Sequence, residues 1–242
     1  MQASHVLPRP FLPPIWRELA ALGRHPLPAP PRRERGVPVV LVPGFLAGAG
    51  SLHVAGEALR AAGHDPHPAG IRWNVSCSET AVQRLTETVE RIADRDGQRV
   101  ALMGHSRGGL FARVLAHRRP ELISSVTTLG SPHRDQLAVH PLIWMVAATL
   151  ATAGLARVPG VLRWSCSGTG CCEHFVRDLA APLPEGVGVL SVYSRTDGVV
   201  DWRACVDPAG RALEAATSHC GMAAHAPTLW AVADAISDFA AG

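Results

Sequence analysis

A serine held between glycines, at a point where a strand pattern turns into a helix pattern, constrains this chain more than any other stretch. Val100–Met103 is a short apolar run of strand length, and Gly104–His105–Ser106–Arg107–Gly108 follows it at once. Leu110, Val114 and Leu115 then recur at helical spacing. A serine on so sharp a strand-to-helix turn has strained dihedrals, and bulky neighbours would collide with either element. Gly109 adds a small residue for close packing. The turn predicts a hydroxyl beyond the carboxyl edge of a sheet, at a helix N-terminus whose N–H groups stabilise developing negative charge. The same residues also admit a plain glycine-rich connection carrying a solvated serine.

The rest of the chain repeats the alternation. Val37–Val42 is a β-branched run of the kind buried on both faces of a sheet, closed by Pro43–Gly44–Phe45. Ser51–Ala62 reads as a helix stopped by Gly63, and residues 64–71 as a short strand weakened by two prolines. Residues 72–77 are a loop before an amphipathic helix over Glu79–Asp94, with Ser78 as its expected cap. Leu122–Leu129, Val187–Tyr193 and Arg211–Thr217 are further strands, and Thr228–Phe239 a closing helix. Strand and helix in turn predict parallel βαβ units, with functional groups at the carboxyl ends of the strands. Phe11–Leu22 reads as an outer helix, followed by a proline-rich linker to Arg35.

Length and charge narrow the function classes. A chain of 242 residues with 47% hydrophobic and 18% charged residues suits one α/β domain carrying an insertion. A net charge of +3 with scattered arginines gives no basic patch for nucleic acid. Prolines at 8, 10, 13, 14, 26, 28, 30 and 31 interrupt the N-terminal stretch, which does not read as a signal peptide. The longest apolar run, residues 142–156, is shorter than the roughly 20 residues that span a bilayer. The expectation is a cytoplasmic protein without a transmembrane segment; the oligomeric state stays open.

The stretch around Ser106 resembles the nucleophile elbow of α/β-hydrolases, in particular bacterial esterase- and lipase-like members with Gly-His-Ser-x-Gly-Gly. The likeness extends from about residue 37 onward, through Tyr193–Val200 as the acid loop and Ser218–Met222 as the histidine loop. It implies an α/β-hydrolase fold: a mostly parallel sheet with helices on both faces and a helical cap inserted after the strand ending near Gly130. The corresponding divisions are an N-terminal segment (1–36) packed on the core, a core made of 37–132 and 181–242, and a cap over 133–180. The resemblance implies Ser106 as nucleophile, Asp197 as acid and His219 as base, in the order the family uses. Asp201 competes with Asp197, and His133 and His225 with His219. The backbone N–H groups of Phe45 and Arg107 would form the oxyanion hole. Leu46, His133, Trp144, Met145 and Val199 are the candidate lining residues, although an apolar helix over 142–155 also reads as plain core. Arg107 departs from the family pattern. Its charge is expected to meet the acid loop or a cap residue, and it argues against an apolar, triglyceride-like substrate close to the serine.

The implied reaction is hydrolysis of a small-molecule or lipid carboxylic ester through an acyl-enzyme, with no cofactor. Acyl transfer or thioester cleavage would use the same triad, and a catalytically silent binding protein is the reading from another class. Six cysteines remain: Cys77, Cys166, Cys171, Cys172, Cys205 and Cys220. Reduced thiols are expected without an export signal. Cys205 and Cys220 bracket the segment between the acid and histidine loops and are expected to approach each other, with a disulfide as the less favoured state. No metal site is expected, since Cys171 and Cys172 are adjacent and no second cysteine–histidine pair stands at finger spacing.

Overall fold

The computed structural model describes residues 36–155, 161–166 and 170–242. The expected helix over Phe11–Leu22, and Val158 with Ser167–Thr169 of the insertion, lie outside the described residues. Six strands form one sheet in the order β2-β1-β3-β4-β5-β6, every neighbouring pair parallel. They are β1 (Pro38–Val42), β2 (Asp65–Pro68), β3 (Val100–His105), β4 (Ile123–Leu129), β5 (Gly188–Tyr193) and β6 (Arg211–Glu214). The helices are α1 (His53–Ala61), α2 (Ser78–Asp96), α3 (Arg107–Arg118), α4 (Pro141–Leu155), α5 (Glu173–Ala180) and α6 (Ala226–Ala241).

Burial on both faces explains why the central strands read as unbroken apolar runs. Val40, Val42, Val100, Leu102 and Val126 pack beneath α2, α3 and α5, around Leu85, Phe111 and Phe175. Val39, Leu41, Ala101, Met103, Leu129, Leu190 and Val192 face the other way, against Leu59 of α1 and Leu229, Val232 and Ile236 of α6. The proline-bearing β2 takes one edge, where missing N–H groups cost no ladder bond. The short, mostly exposed β6 takes the other.

The sequence order reverses between β1 and β3, which lie side by side with Val42 opposite Gly104. In an open parallel sheet that switch point is where the strand ends diverge and leave a crevice. Ser106 follows β3, and Pro43–Phe45 follows β1, so both turns open into it.

Residues 133–155 leave this rhythm. Val139 bridges Val200 in antiparallel fashion, His140 N–H donates to Val199 O (2.8 Å), and Asp201 N–H donates to Ala138 O (2.9 Å). The entry to α4 is therefore fastened to the loop after β5. The chain returns at Leu162, whose N–H donates to Val75 O (2.7 Å) in the loop before α2. Among the described residues no helix is long and apolar enough to cross a membrane.

Candidate active site

Ser106 has φ 52° and ψ −123°, and Leu46 has φ 62°; they are the non-glycine residues with positive φ among those described. Backbone of this kind costs about 1–3 kcal/mol per residue and persists only where the surroundings enforce it. At Ser106 the N–H donates to Leu129 O of β4 (2.8 Å) and the carbonyl accepts from Gly109 N–H (3.0 Å). The glycines make the turn possible by close approach. A Cβ on Gly104 would strike the Gly109 backbone, one on Gly108 the Val42 and Pro43 carbonyls, and one on Gly109 the Ser131 side chain.

The turn after β1 lies against the serine. A Cβ on Gly44 would sit 3.2 Å from Ser106 Cβ, so the turn that continues into Phe45 packs directly on the serine. Among the described residues neither the Phe45 N–H nor the Arg107 N–H at the start of α3 has a hydrogen-bond acceptor. Both are donors left over at the crevice.

On the opposite side, His219 Nδ1 meets Asp197 Oδ2 at 2.7 Å with both side chains buried. The other carboxylate oxygen accepts the Val199 and Val200 N–H groups at 2.8 Å each, which fixes the carboxylate plane. A carboxylate acceptor puts the imidazole proton on Nδ1 and leaves the Nε2 lone pair as the basic site. Gly130, directly after β4, brings this pair to the strand that holds the serine's N–H. It has φ 57°, and a Cβ there would lie 2.9 Å from His219 Nδ1. Its predecessor, Leu129, is the residue whose carbonyl holds Ser106. His105, preceding the serine, donates from Nε2 to the His219 carbonyl (3.0 Å), its ring 4.7 Å from the His219 ring. Burial holds His105 down to about 4, so it acts as a neutral donor.

The acid and histidine loops are tied to each other as well. Ser194 Oγ and Thr196 Oγ1 both donate to Thr217 O, the latter at 2.9 Å. Asp201 stands apart: its carboxylate accepts from Arg203 N–H (3.0 Å) and caps the turn over Trp202–Ala204. His225 Nδ1 pairs with Thr228 Oγ1 (2.8 Å) at the start of α6. His133 Nδ1 approaches Ser131 O (3.3 Å) and the ring lies near the Arg113–Asp207 ion pair; burial pushes it down to about 4. Of the remaining lining candidates, Leu46, Trp144 and Met145 are exposed, and the half-buried Val199 braces the Asp197 carboxylate.

Two sequence expectations are corrected here. Among the described residues, no hydrogen bond of the Arg107 guanidinium goes to the acid loop or the insertion. Its guanidinium donates to Asn74 O (3.2 Å), Asn74 Oδ1 (2.7 Å), Ser76 O (2.7 Å) and Ser78 Oγ (3.1 Å), with Phe111 and Phe45 rings on it at 4.9 and 5.8 Å. Desolvation lowers it to about 10, which keeps it charged at neutral pH. The charge is thus consumed by the 72–78 loop and does not bar an apolar group from the serine. For the same reason Ser78 is not a cap: it lies inside α2, whose N-cap is Cys77, and its hydroxyl serves Arg107.

Asn74 was not singled out by the sequence. Fully buried, it donates from Nδ2 to Pro43 O (2.8 Å), accepts Leu46 N–H on its carbonyl (3.3 Å) and donates its own N–H to Ala47 O (3.0 Å). It locks the strained Pro43–Ala47 turn to Arg107. A lone Asn in an irregular loop offers no pattern by which to find it.

All six cysteines, Cys205 and Cys220 included, are reduced and outside any disulfide, as expected. The gathering of four of them was not expected. Cys77, Cys166, Cys171 and Cys172 bring their sulfurs within 4.8 Å of one another. Sequence spacing hides this set because Cys77 is 94 positions from Cys171. The expectation of no metal site rested on spacing alone. A second set, Asp65, His67 and Asp96, is exposed or half-buried and already pairs with Arg95.

A family model for the α/β hydrolase fold matches residues 80–163, the span that contains the Ser106 turn. The matched span and the six-stranded parallel sheet flanked by helices are those of the α/β-hydrolase fold. A triacylglycerol lipase of Vibrio cholerae is 30% identical over 138 residues, 55% of this chain and 43% of the relative. The chain therefore spans less than half the length of that curated relative. Among solved structures of this fold, the mature Bacillus licheniformis lipase BlEst2 matches with a TM-score of 0.60 at 16% identity, covering 85% of this chain and 93% of the other. A metagenomic carboxyl esterase matches with a TM-score of 0.63 at 16% identity, covering 88% and 79%. At such identity the structural matches speak for the fold.

Proposed function

We propose that this chain is a serine hydrolase of carboxylic esters, esterase- or lipase-like, with Ser106, His219 and Asp197 as its triad. One observation carries the reading: the buried 2.7 Å pairing of His219 with Asp197, set against the strand whose carbonyl holds the strained Ser106. The family-model match and the similarity to lipases and an esterase support it.

In the reaction, Ser106 Oγ attacks the ester carbonyl while His219 Nε2 takes its proton. Asp197 holds the imidazole's orientation and stabilises the imidazolium. The carbonyl oxygen becomes an oxyanion, and the N–H groups of Phe45 and Arg107 receive it. On collapse the C–O bond breaks, and the leaving alcohol takes the proton back from His219. Water, deprotonated by the same nitrogen, then cleaves the acyl-Ser106 ester and releases the acid. Residues 133–180 act as a cap in this reading, with Trp144 and Met145 of α4 on the acyl side.

The test is a chain-length series of nitrophenyl esters run beside matching thioesters, together with Ser106→Ala and a serine-directed phosphonate. Ester turnover should fall by several orders of magnitude in Ser106→Ala, leaving roughly 10³-fold over water from the oxyanion hole and binding. The phosphonate should label Ser106 alone. Near-native turnover in Ser106→Ala would overturn the hydrolase reading. Faster turnover of thioesters, or product carried to an added alcohol, would move the chain to thioesterase or acyltransferase chemistry. The alternative of a non-catalytic binding protein loses its main support, a broken triad, because all three residues are present.

A further inference from the structure

The four gathered cysteines lie outside the triad, and the ester chemistry does not use them. Cys77 ends the loop before α2, Cys166 ends the turn over Trp164–Cys166, Cys171 follows Gly170, and Cys172 is the N-cap of α5. Their sulfurs stand at 3.6 Å (Cys77–Cys171), 3.4 Å (Cys77–Cys172), 3.4 Å (Cys166–Cys171) and 3.9 Å (Cys171–Cys172), and the other two separations fall within 4.8 Å.

We propose that Cys77, Cys166, Cys171 and Cys172 form a structural zinc site that clips the returning end of the 133–180 insertion to the loop beside the Ser106 turn.

The geometry suits a tetrahedron. A zinc–sulfur bond of about 2.3 Å gives a tetrahedron whose edges are about 3.8 Å. The four measured edges, 3.4–3.9 Å, bracket that value. Adjacency of Cys171 and Cys172 does not prevent ligation, because their sulfurs diverge by one such edge. Two disulfides would account for the set less well. A disulfide needs one partner per sulfur, whereas Cys171 contacts all three of the others. The donor set also selects the ion: four soft thiolates suit zinc and disfavour the hard magnesium and calcium ions. With every position taken by sulfur the site is closed, so its role is to hold structure, not to activate water.

Charge is partly offset locally. Four thiolates around one divalent zinc carry net negative charge, and the Arg107 guanidinium stands beside them, bonded to Ser76 and Ser78 on either side of Cys77. The metal would therefore steady the same loop that orients Asn74 and the Pro43–Ala47 turn. Metal binding at such a site contributes folding energy directly, since the unfolded chain offers no preformed cage.

The experiment uses the full chain, grown with added zinc and purified with reductant. Elemental analysis should find about one zinc per chain, as expected for one closed four-thiolate site. After chelation, Co²⁺ alone should restore sulfur-to-metal charge-transfer absorption and the visible bands of a tetrahedral thiolate site, and Zn²⁺ alone should bleach them. Cys171→Ser removes the exposed ligand. It should weaken zinc binding beyond the roughly 10- to 100-fold that loss of an outer-shell partner costs, while Cys205→Ser keeps its zinc. Stoichiometry and cobalt spectra come from the native sequence, so a variant that fails to fold leaves the test intact. Free thiols without bound metal, or Cys–Cys cross-links in peptide maps of unreduced protein, would overturn the site. Iron in place of zinc would overturn the assignment of the ion.

Discussion

At the scale of single residues, Arg107 and Asn74 act as one unit. Four hydrogen bonds leave the guanidinium, two of them to Asn74, and Asn74 spends its remaining groups on the turn that carries Phe45. Removing either partner leaves buried acceptors or donors unsatisfied, at about 1–3 kcal/mol each. Arg107→Met and Asn74→Ala should therefore each destabilise by about 3 kcal/mol, and the double variant by far less than the sum. Urea midpoints of the four proteins give the coupling, and additive losses would sink the idea of a unit. On the proposed function, ester turnover should also fall in both single variants even where they are fully folded, because the turn carrying Phe45 loses its brace. Sequence pattern showed the strained serine and its glycines, since steric demands are written locally. It could not show Asn74, His105 or Ser194, whose partners lie across the fold.

Among the elements, α4 carries the sharpest question. Trp144 is 40% and Met145 60% exposed, a large apolar surface on a helix whose entry is hydrogen-bonded to the acid loop. A core helix would bury such side chains. Trp144→Ala should thus shift the ratio of long-chain to short-chain ester rates while the melting temperature stays close to native. A melting temperature that drops with no change in that ratio would make α4 a packing element. The core strands and helices were legible because burial on both faces writes β-branched runs, and burial on one face writes helical spacing. The cysteine cluster was not: Cys77 and Cys172 are neighbours only after the insertion folds back past Val75. Arg107 misled for a related reason, since a charge at the turn gives no sign of which loop will take it.

For the molecule as a whole, two buried histidines contribute to the response to acid above the carboxylate range. His105 and His133 are both held near 4, by burial first and then by the neighbouring charges of His219 and Arg113 respectively. In the unfolded chain each titrates near 6.5. Between about pH 6.5 and about pH 4 the unfolded state then binds more protons than the folded one, so stability rises with pH and is lost on acidification. Each histidine contributes at most about 1.4 kcal/mol per pH unit across that window. His133→Gln should flatten the dependence of the urea midpoint on pH by about one proton's worth, and an unchanged slope would refute the account. The glycines around the elbow carry a different consequence, for how such a protein diversifies. Gly104, Gly108 and Gly109 admit no side chain because backbone or the Ser131 side chain already fills the space where each Cβ would go. The ground beneath the serine is therefore closed to variation. On the function proposed above, a directed-evolution library aimed at α4 and the loops that fasten it should yield altered selectivity, and one aimed at these three glycines only inactive clones.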